Sequence, residues 1–116
     1  MKKFLIIIII LITTNVQSQQ NDIDLIKQKY EIHNLNNING FKYNINNKNI
    51  MLGFNEKLNY DVYLLVINDT KIFEILKTKI YDCDFVEIKL LSRLSPGIYY
   101  LLIKNKTKYI IQKIII

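Results

Sequence analysis

The chain has 116 residues and a formal net charge of +6, with one cysteine, one histidine and a single arginine, Arg93. One cysteine excludes an intramolecular disulfide, and one histidine excludes a metal site built from several imidazoles. Proteins that recognise nucleic acid usually use several arginines, so the positive charge does not predict a nucleic-acid partner. The abundance of Lys together with Ile, Asn and Tyr is better explained by a coding sequence rich in A and T.

The first 18 residues have the three regions of a cleavable signal peptide. Lys2 and Lys3 form the positive n-region, an unbroken apolar run follows over residues 4–12, and the chain then turns polar up to Ser18. A retained membrane anchor is the alternative, but a spanning helix needs about 20 apolar residues and this run is much shorter. We therefore expect cleavage after Ser18 or one to three residues later, with no stable membrane span afterwards. The predicted location is secreted: periplasm, cell surface or extracellular medium.

Cleavage would leave 98 residues, with a net charge lowered from +6 to +4 because two lysines are removed. A chain of this size forms one domain with one modest core. We divide it into an N-terminal segment or first strand over residues 19–40 and a β-sandwich domain over residues 41–116. Residues 25–32 fit either a short amphipathic helix or an edge strand. The Asn-rich residues 34–40 predict turns, because Asn tolerates left-handed conformations.

Alternating apolar residues predict two strands in the next part of the chain. The first covers residues 41–45, and the asparagines of residues 46–49 predict a hairpin loop after it. The alternation then resumes on one face with Ile50, Leu52 and Phe54. The polar residues 55–59 are expected to end this second strand.

The densest apolar segment, residues 60–67, predicts a central strand. Its second half is apolar on both faces, which is typical of a strand covered on both sides. Residues 68–71 predict a turn and residues 72–80 a return strand. A helix over residues 71–79 is the competing interpretation, which frequent Ile and Thr and the absence of a capping pattern disfavour.

Residues 81–84 are expected to form a break between the return strand and a half-buried strand over residues 85–90. The inward residues of that strand are Val86, Ile88 and Leu90. Pro96-Gly97 then predicts a type II turn, in which Gly accepts the positive φ of the second central position.

Two apolar strands complete the pattern, over residues 98–103 and 108–116. We expect the aliphatic residues 110–116 to be paired inside a sheet, because an exposed aliphatic edge promotes aggregation. About seven strands at intervals of roughly ten residues predict an all-β fold, an antiparallel sandwich.

Residues 88–103 resemble the last third of the C-terminal sorting domains of the type nine secretion system. That pattern is a strand, a Leu-containing turn ending in Gly, then an aliphatic residue, Tyr and a hydrophobic strand; the matching residues are Leu94, Pro96, Gly97 and Tyr99. Residues 60–71 resemble the preceding strand and turn of these domains, and residues 109–116 their basic, aliphatic last strand. The same outline occurs in a family of small exported Bacteroidota proteins of unknown function, each little more than a signal peptide and one immunoglobulin-like domain.

The resemblance implies an immunoglobulin-like antiparallel β-sandwich and an envelope or extracellular location, without catalytic residues. The residues themselves also predict no enzyme, no cofactor and no metal. His33 is expected in a solvated loop or strand end, and the carboxylates of Asp82 and Asp84 disfavour a reactive thiolate at Cys83. Pairing of Cys83 between two chains stays open, as does the oligomeric state.

Two functions of different class follow from the sequence. The first is a small secreted, non-catalytic β-sandwich module that binds an envelope protein or a glycan. The alternative is a type nine secretion sorting domain, recognised by the secretion machinery as a targeting signal.

Overall fold

The computed structural model describes residues 21–116, in two compact units. The first unit ends at His33 and contains a helix, α1, over residues 21–29. Of the two interpretations of this region, the helix is therefore correct. The predicted signal peptide lies outside the described residues. Within the part of the chain that is described, no helix has the length and apolar content that crossing a membrane requires.

The second unit, Asn34–Ile116, is a sheet of six strands. The strands are β1 (Asn36–Asn37), β2 (Lys42–Ile45), β3 (Asn49–Asn68), β4 (Lys71–Lys89), β5 (Ile98–Lys104) and β6 (Lys108–Ile115). Their order is β1-β6-β5-β3-β2, with β4 paired to the other edge of β3. Neighbours are antiparallel except β1 and β6, which are parallel. The all-β class is confirmed, as a curled mixed sheet of six strands in the described chain where the sequence predicted about seven.

Asparagine side chains shape two of the hairpin turns. Oδ1 of Asn46 accepts hydrogen bonds from the backbone N–H groups of Lys48 and Asn49, both at 2.8 Å. Oδ1 of Asn105 does the same for Thr107 and Lys108, at 2.9 and 2.8 Å. Both asparagines replace backbone partners that the turn lacks. The predicted loop over residues 46–49 is therefore confirmed, together with its physical reason.

The turn between β3 and β4 has left-handed backbone at both central residues. Asp69 has φ 50° and Thr70 has φ 63°, the signs that a type I′ hairpin turn requires. This turn matches the right-handed twist of the two strands that it joins. The predicted turn over residues 68–71 and the return strand after it are confirmed, and the competing helix over residues 71–79 is wrong.

Two predicted strand ends are wrong, because β3 and β4 continue through them with irregularities instead. β3 runs unbroken past residues 55–59, but its register with β4 shifts between Gly53 and Leu58 and again before Tyr60. β4 likewise continues through residues 81–84, where the sequence predicted a break between strands. The irregularity there is a single residue with left-handed backbone, Asp82, with φ 48°. Bulges bend a strand without ending its pairing, so the long hairpin turns a corner here.

The bend brings distant parts of β4 together. Leu76 and Lys89 line one cavity of about 240 Å³, although a straight strand would hold them roughly 40 Å apart. Aromatic rings fill the inside of the bend: Phe54 lies 5.5 Å from Phe41 and 4.7 Å from Tyr60, centroid to centroid. Such ring pairs stabilise a contact beyond the area that they bury.

The core lies on the inner side of the curled sheet. The predicted inward residues of β4, Val86 and Ile88, are partly buried and pack against it, as does Leu90 just after the strand. The buried members of the core are Ile38, Ile50, Leu52, Phe54, Tyr60, Val62, Leu64, Ile80, Tyr99, Leu101, Ile103 and Ile114. Residues that alternate with these are also buried in the central strands, namely Tyr63, Leu65, Tyr100 and Leu102. The prediction that residues 60–67 form a central strand, buried on both faces, is therefore confirmed. Fully burying one aliphatic side chain contributes about 1.5–3 kcal/mol, so these strands form the most stable part of the sheet.

Candidate functional site

The turn that resembles the sorting-domain pattern is tied to its surroundings by two residues, Tyr99 and Leu94. The hydroxyl of Tyr99 donates a 2.6 Å hydrogen bond to the backbone carbonyl of Ser95, while its ring is buried in the core. Leu94 packs against the same core, and its N–H donates to the carbonyl of Asn47 at 2.9 Å. Pro96 is exposed. Leu94 and Tyr99 therefore hold the turn from opposite ends.

Gly97 does not occupy the position predicted for it. Among the described glycines only Gly40 has a positive φ, so the type II turn at Pro96-Gly97 is wrong. Gly97 instead exchanges both backbone hydrogen bonds with Ile116, at 2.9 and 3.0 Å. This pairing extends the β5–β6 ladder by one residue on each of the two strands, and it holds Gly97 in extended backbone. A Cβ at Gly97 would meet no atom within 4 Å, so the position does not require glycine.

One edge of β6 is left without a strand partner within residues 21–116. Because Gly97 and Ile116 form a hydrogen-bonded pair, every second residue of β6 points its backbone groups away from β5. The first of these, Tyr109, accepts a 2.9 Å bond from the N–H of Ile38. β1 pairs only with Lys108 and Tyr109, and the chain then leaves toward β2. The open edge consists of the outward backbone groups of Ile111, Lys113 and Ile115.

Apolar side chains flank the open edge. Ile115 is 75% exposed, and its cross-strand partner Ile98 is 51% exposed. Lys113 is the one charged residue of the three, and its carbonyl accepts only a long 3.3 Å bond from the side chain of Gln112. The sequence predicted that residues 110–116 would be paired inside a sheet. The finding corrects this in part: β5 pairs along all of β6, whereas β1 is too short to cover the other side.

The outer edge of β4 is longer, but it carries the features that prevent strand pairing. β4 pairs only with β3 in the described chain, so its second edge is also open. Its exposed charged side chains are Lys71, Glu74, Lys77, Lys79, Asp82, Asp84, Glu87 and Lys89. Charges and bulges along an edge discourage the addition of another strand. The open edge of β6, with one charge in three residues, lacks this protection.

Residues with catalytic or metal-binding chemistry are scattered. Cys83 is half-buried, and its Sγ donates to the carbonyl of Tyr81 at 3.0 Å. His33 is exposed in a turn of the first unit, as predicted. Across residues 21–116 no group of three or more His, Cys, Asp or Glu side chains is placed to hold a metal ion. Asp82 contributes its backbone rather than its carboxylate, because its N–H donates to Oδ1 of Asn59 at 3.0 Å across the bend.

Comparison of the chain with protein-family models, with curated proteins and with solved structures gives no match. The open edge of β6 was not predicted from the sequence, although the two-residue turn Lys106-Thr107 before β6 fixes which of its residues face away from β5. What the sequence did not indicate is how early β1 separates from β6.

Proposed function

We propose that the protein is a secreted, non-catalytic β-module that binds an envelope protein by adding a strand of that partner to the open edge of β6. Unpaired backbone groups in a row are a ready template for an extended segment. Ile98 and Ile115 supply the exposed apolar surface that such a segment would cover. Lys113 favours an acidic residue opposite it. The open edge is the single observation that carries this proposal.

An immunoglobulin-like sandwich is the architecture that we propose for the curled sheet. Such sandwiches often contain a buried tyrosine near the start of a late strand, whose hydroxyl bonds to the backbone a few residues upstream. The bond from Tyr99 to Ser95 has this form. Export by the signal peptide over residues 1–18 is part of the same proposal. A mature chain whose first residue is Gln19, or one of the next three, would support it.

A proline substitution tests strand addition without disturbing the fold. The N–H of Lys113 points away from β5, so Lys113→Pro removes an edge donor while the β5–β6 ladder keeps its bonds. Lys113→Ala is the matched control, because it removes the charge and keeps the N–H. We expect envelope proteins captured by the wild type to be retained by Lys113→Ala and lost with Lys113→Pro. Equal capture by both variants, with unchanged circular dichroism, would overturn the proposal.

The second candidate is the sorting domain of the type nine secretion system, favoured by the turn residues Leu94, Pro96, Gly97 and Tyr99. In that function the secretion machinery recognises the C-terminal region, and the region is then removed or anchored. Mass spectrometry of the exported protein separates the two candidates. A C-terminus that still ends in Ile114-Ile115-Ile116 contradicts a processed signal, and loss of the chain beyond about residue 49 contradicts the binding module.

A further inference from the structure

A second surface of the sheet carries a cleft lined by three lysines. The cleft has a volume of about 230 Å³ and lies where β3 and β4 bend beside the β5–β6 turn. Its lining includes Lys79, Lys104 and Lys106, together with Asp61 and Tyr81. We call this surface the lysine cleft. Strand register explains the arrangement, because Asp61 is paired directly with Lys79 on one side and with Lys104 on the other. Directly paired residues of antiparallel strands share a face of the sheet.

The charges of the lysine cleft are not neutralised by ion pairs. Among residues 21–116, a contact of 4.0 Å or less between a lysine and a carboxylate is found at Lys108 and Glu56, outside this cleft. Three lysines and one aspartate are among the residues that line the cleft, so the region carries an excess of positive charge. A concave surface of one sign concentrates ions of the opposite sign.

The three lysines are spread over two strands and a turn, which gives room in the cleft for more than one anionic group. Lys79 and Lys104 stand two strand spacings apart, roughly 10 Å, with Asp61 between them. Successive acidic units of a polymer can reach both lysines, while the carboxylate of Asp61 accepts hydrogen bonds from hydroxyl groups between them. Tyr81, 65% exposed at the rim, offers a flat apolar face to a sugar ring.

We infer that the lysine cleft binds an acidic saccharide, a chain of sugar units that carry carboxylate groups. The acidic groups pair with the lysines, hydroxyl groups bond to Asp61, and one ring packs on Tyr81. This site shares no residue with the open edge of β6. If the lysine cleft does not bind an acidic saccharide, the proposal of strand addition at β6 is unaffected. If strand addition is refuted, the inference about the lysine cleft is likewise unaffected.

Calorimetric titration with trigalacturonate tests this inference. The double variant Lys79→Gln/Lys106→Gln should weaken binding on the order of tenfold, because two charge-assisted contacts are lost. Lys71→Gln/Lys89→Gln is the matched control: it removes the same two charges from exposed positions on β4 outside the cleft, and should change binding less than about twofold. The fully methylated ester, which keeps the rings and removes the charges, should not bind. Added salt should weaken the binding of trigalacturonate.

Several results would overturn the inference. One is binding of the methyl ester as tight as that of trigalacturonate; another is a double variant that binds like the wild type. Inorganic phosphate that binds as tightly as trigalacturonate would show a site for any anion rather than for a saccharide. The inference would also be refuted if trigalacturonate did not bind to wild-type protein whose amide NMR spectrum shows that it is folded.

Discussion

Replacing Tyr99 with Phe tests how much the hydrogen bond from Tyr99 to Ser95 contributes to holding the turn before β5. The substitution keeps the buried ring and removes the hydroxyl that donates to Ser95. A neutral hydrogen bond contributes about 0.5–1.5 kcal/mol to stability. Ser95 is exposed, so water replaces the lost donor in part, and we expect a loss of about 1 kcal/mol. With a urea m-value of about 1–1.5 kcal/mol/M, the unfolding midpoint should fall by roughly 0.7–1 M.

Tyr81→Phe is the control for this measurement. It removes the same atom from a ring that is 65% exposed, so the midpoint should stay within error of the wild type. Trypsin provides a local readout, because Arg93 is exposed in the turn and should be cleaved faster in Tyr99→Phe. A Tyr99→Phe protein with an unchanged midpoint and unchanged cleavage at Arg93 would refute the reasoning, as would an equal loss in Tyr81→Phe.

Three further predictions follow from backbone geometry and burial. Thr70→Gly should raise the free energy of unfolding by about 1 kcal/mol, because glycine adopts the φ of 63° without strain; a lower urea midpoint would contradict this. Gly40→Ala should lower the free energy of unfolding by about 1–2 kcal/mol, because Gly40 has φ 70° and an added Cβ would collide with the side chain of Asn55. Part of this loss should be recovered when the substitution is made in an Asn55→Ala background. Burial raises the pKa of Tyr60 and of Tyr63 above the usual 10.0, with smaller contributions from Glu56 for the first and from Asp61 and Glu74 for the second. The unfolded chain then loses these protons first, so stability should be intact below pH 10.0 and fall as the pH rises from there toward the raised pKa values. Urea midpoints measured between about pH 9 and about pH 11 check this, and Tyr63→Phe should flatten the decline.

The strands could be predicted where side-chain alternation agreed with turn chemistry. Ile50, Leu52 and Phe54 alternate and are buried, and the asparagines at residues 46–49 form the loop for the reason expected of them. The same rules failed at residues 55–59, where polar side chains suggested a strand end. Polar residues are also compatible with a bulged bend, and only the continuous pairing to β4 distinguishes the two.

Candidate sites were harder to predict, because they depend on distant residues. The sequence singled out Gly97 for its freedom at positive φ, whereas pairing with Ile116 holds it in a strand. Nothing in the sequence placed Asp61 between two lysines. Its position between Lys79 and Lys104 follows from register across three strands, which cannot be read from one segment at a time.

The sequence by itself determined the all-β class, the central position of residues 60–67 and the loops built on asparagine. These are local properties, since a period of two and a preferred φ belong to a few neighbouring residues. The tertiary structure decided where β3 and β4 bend, which lysines form a cleft, and how much of β6 remains unpaired. Those features depend on which strands become neighbours and in what register, and register is a property of the whole sheet.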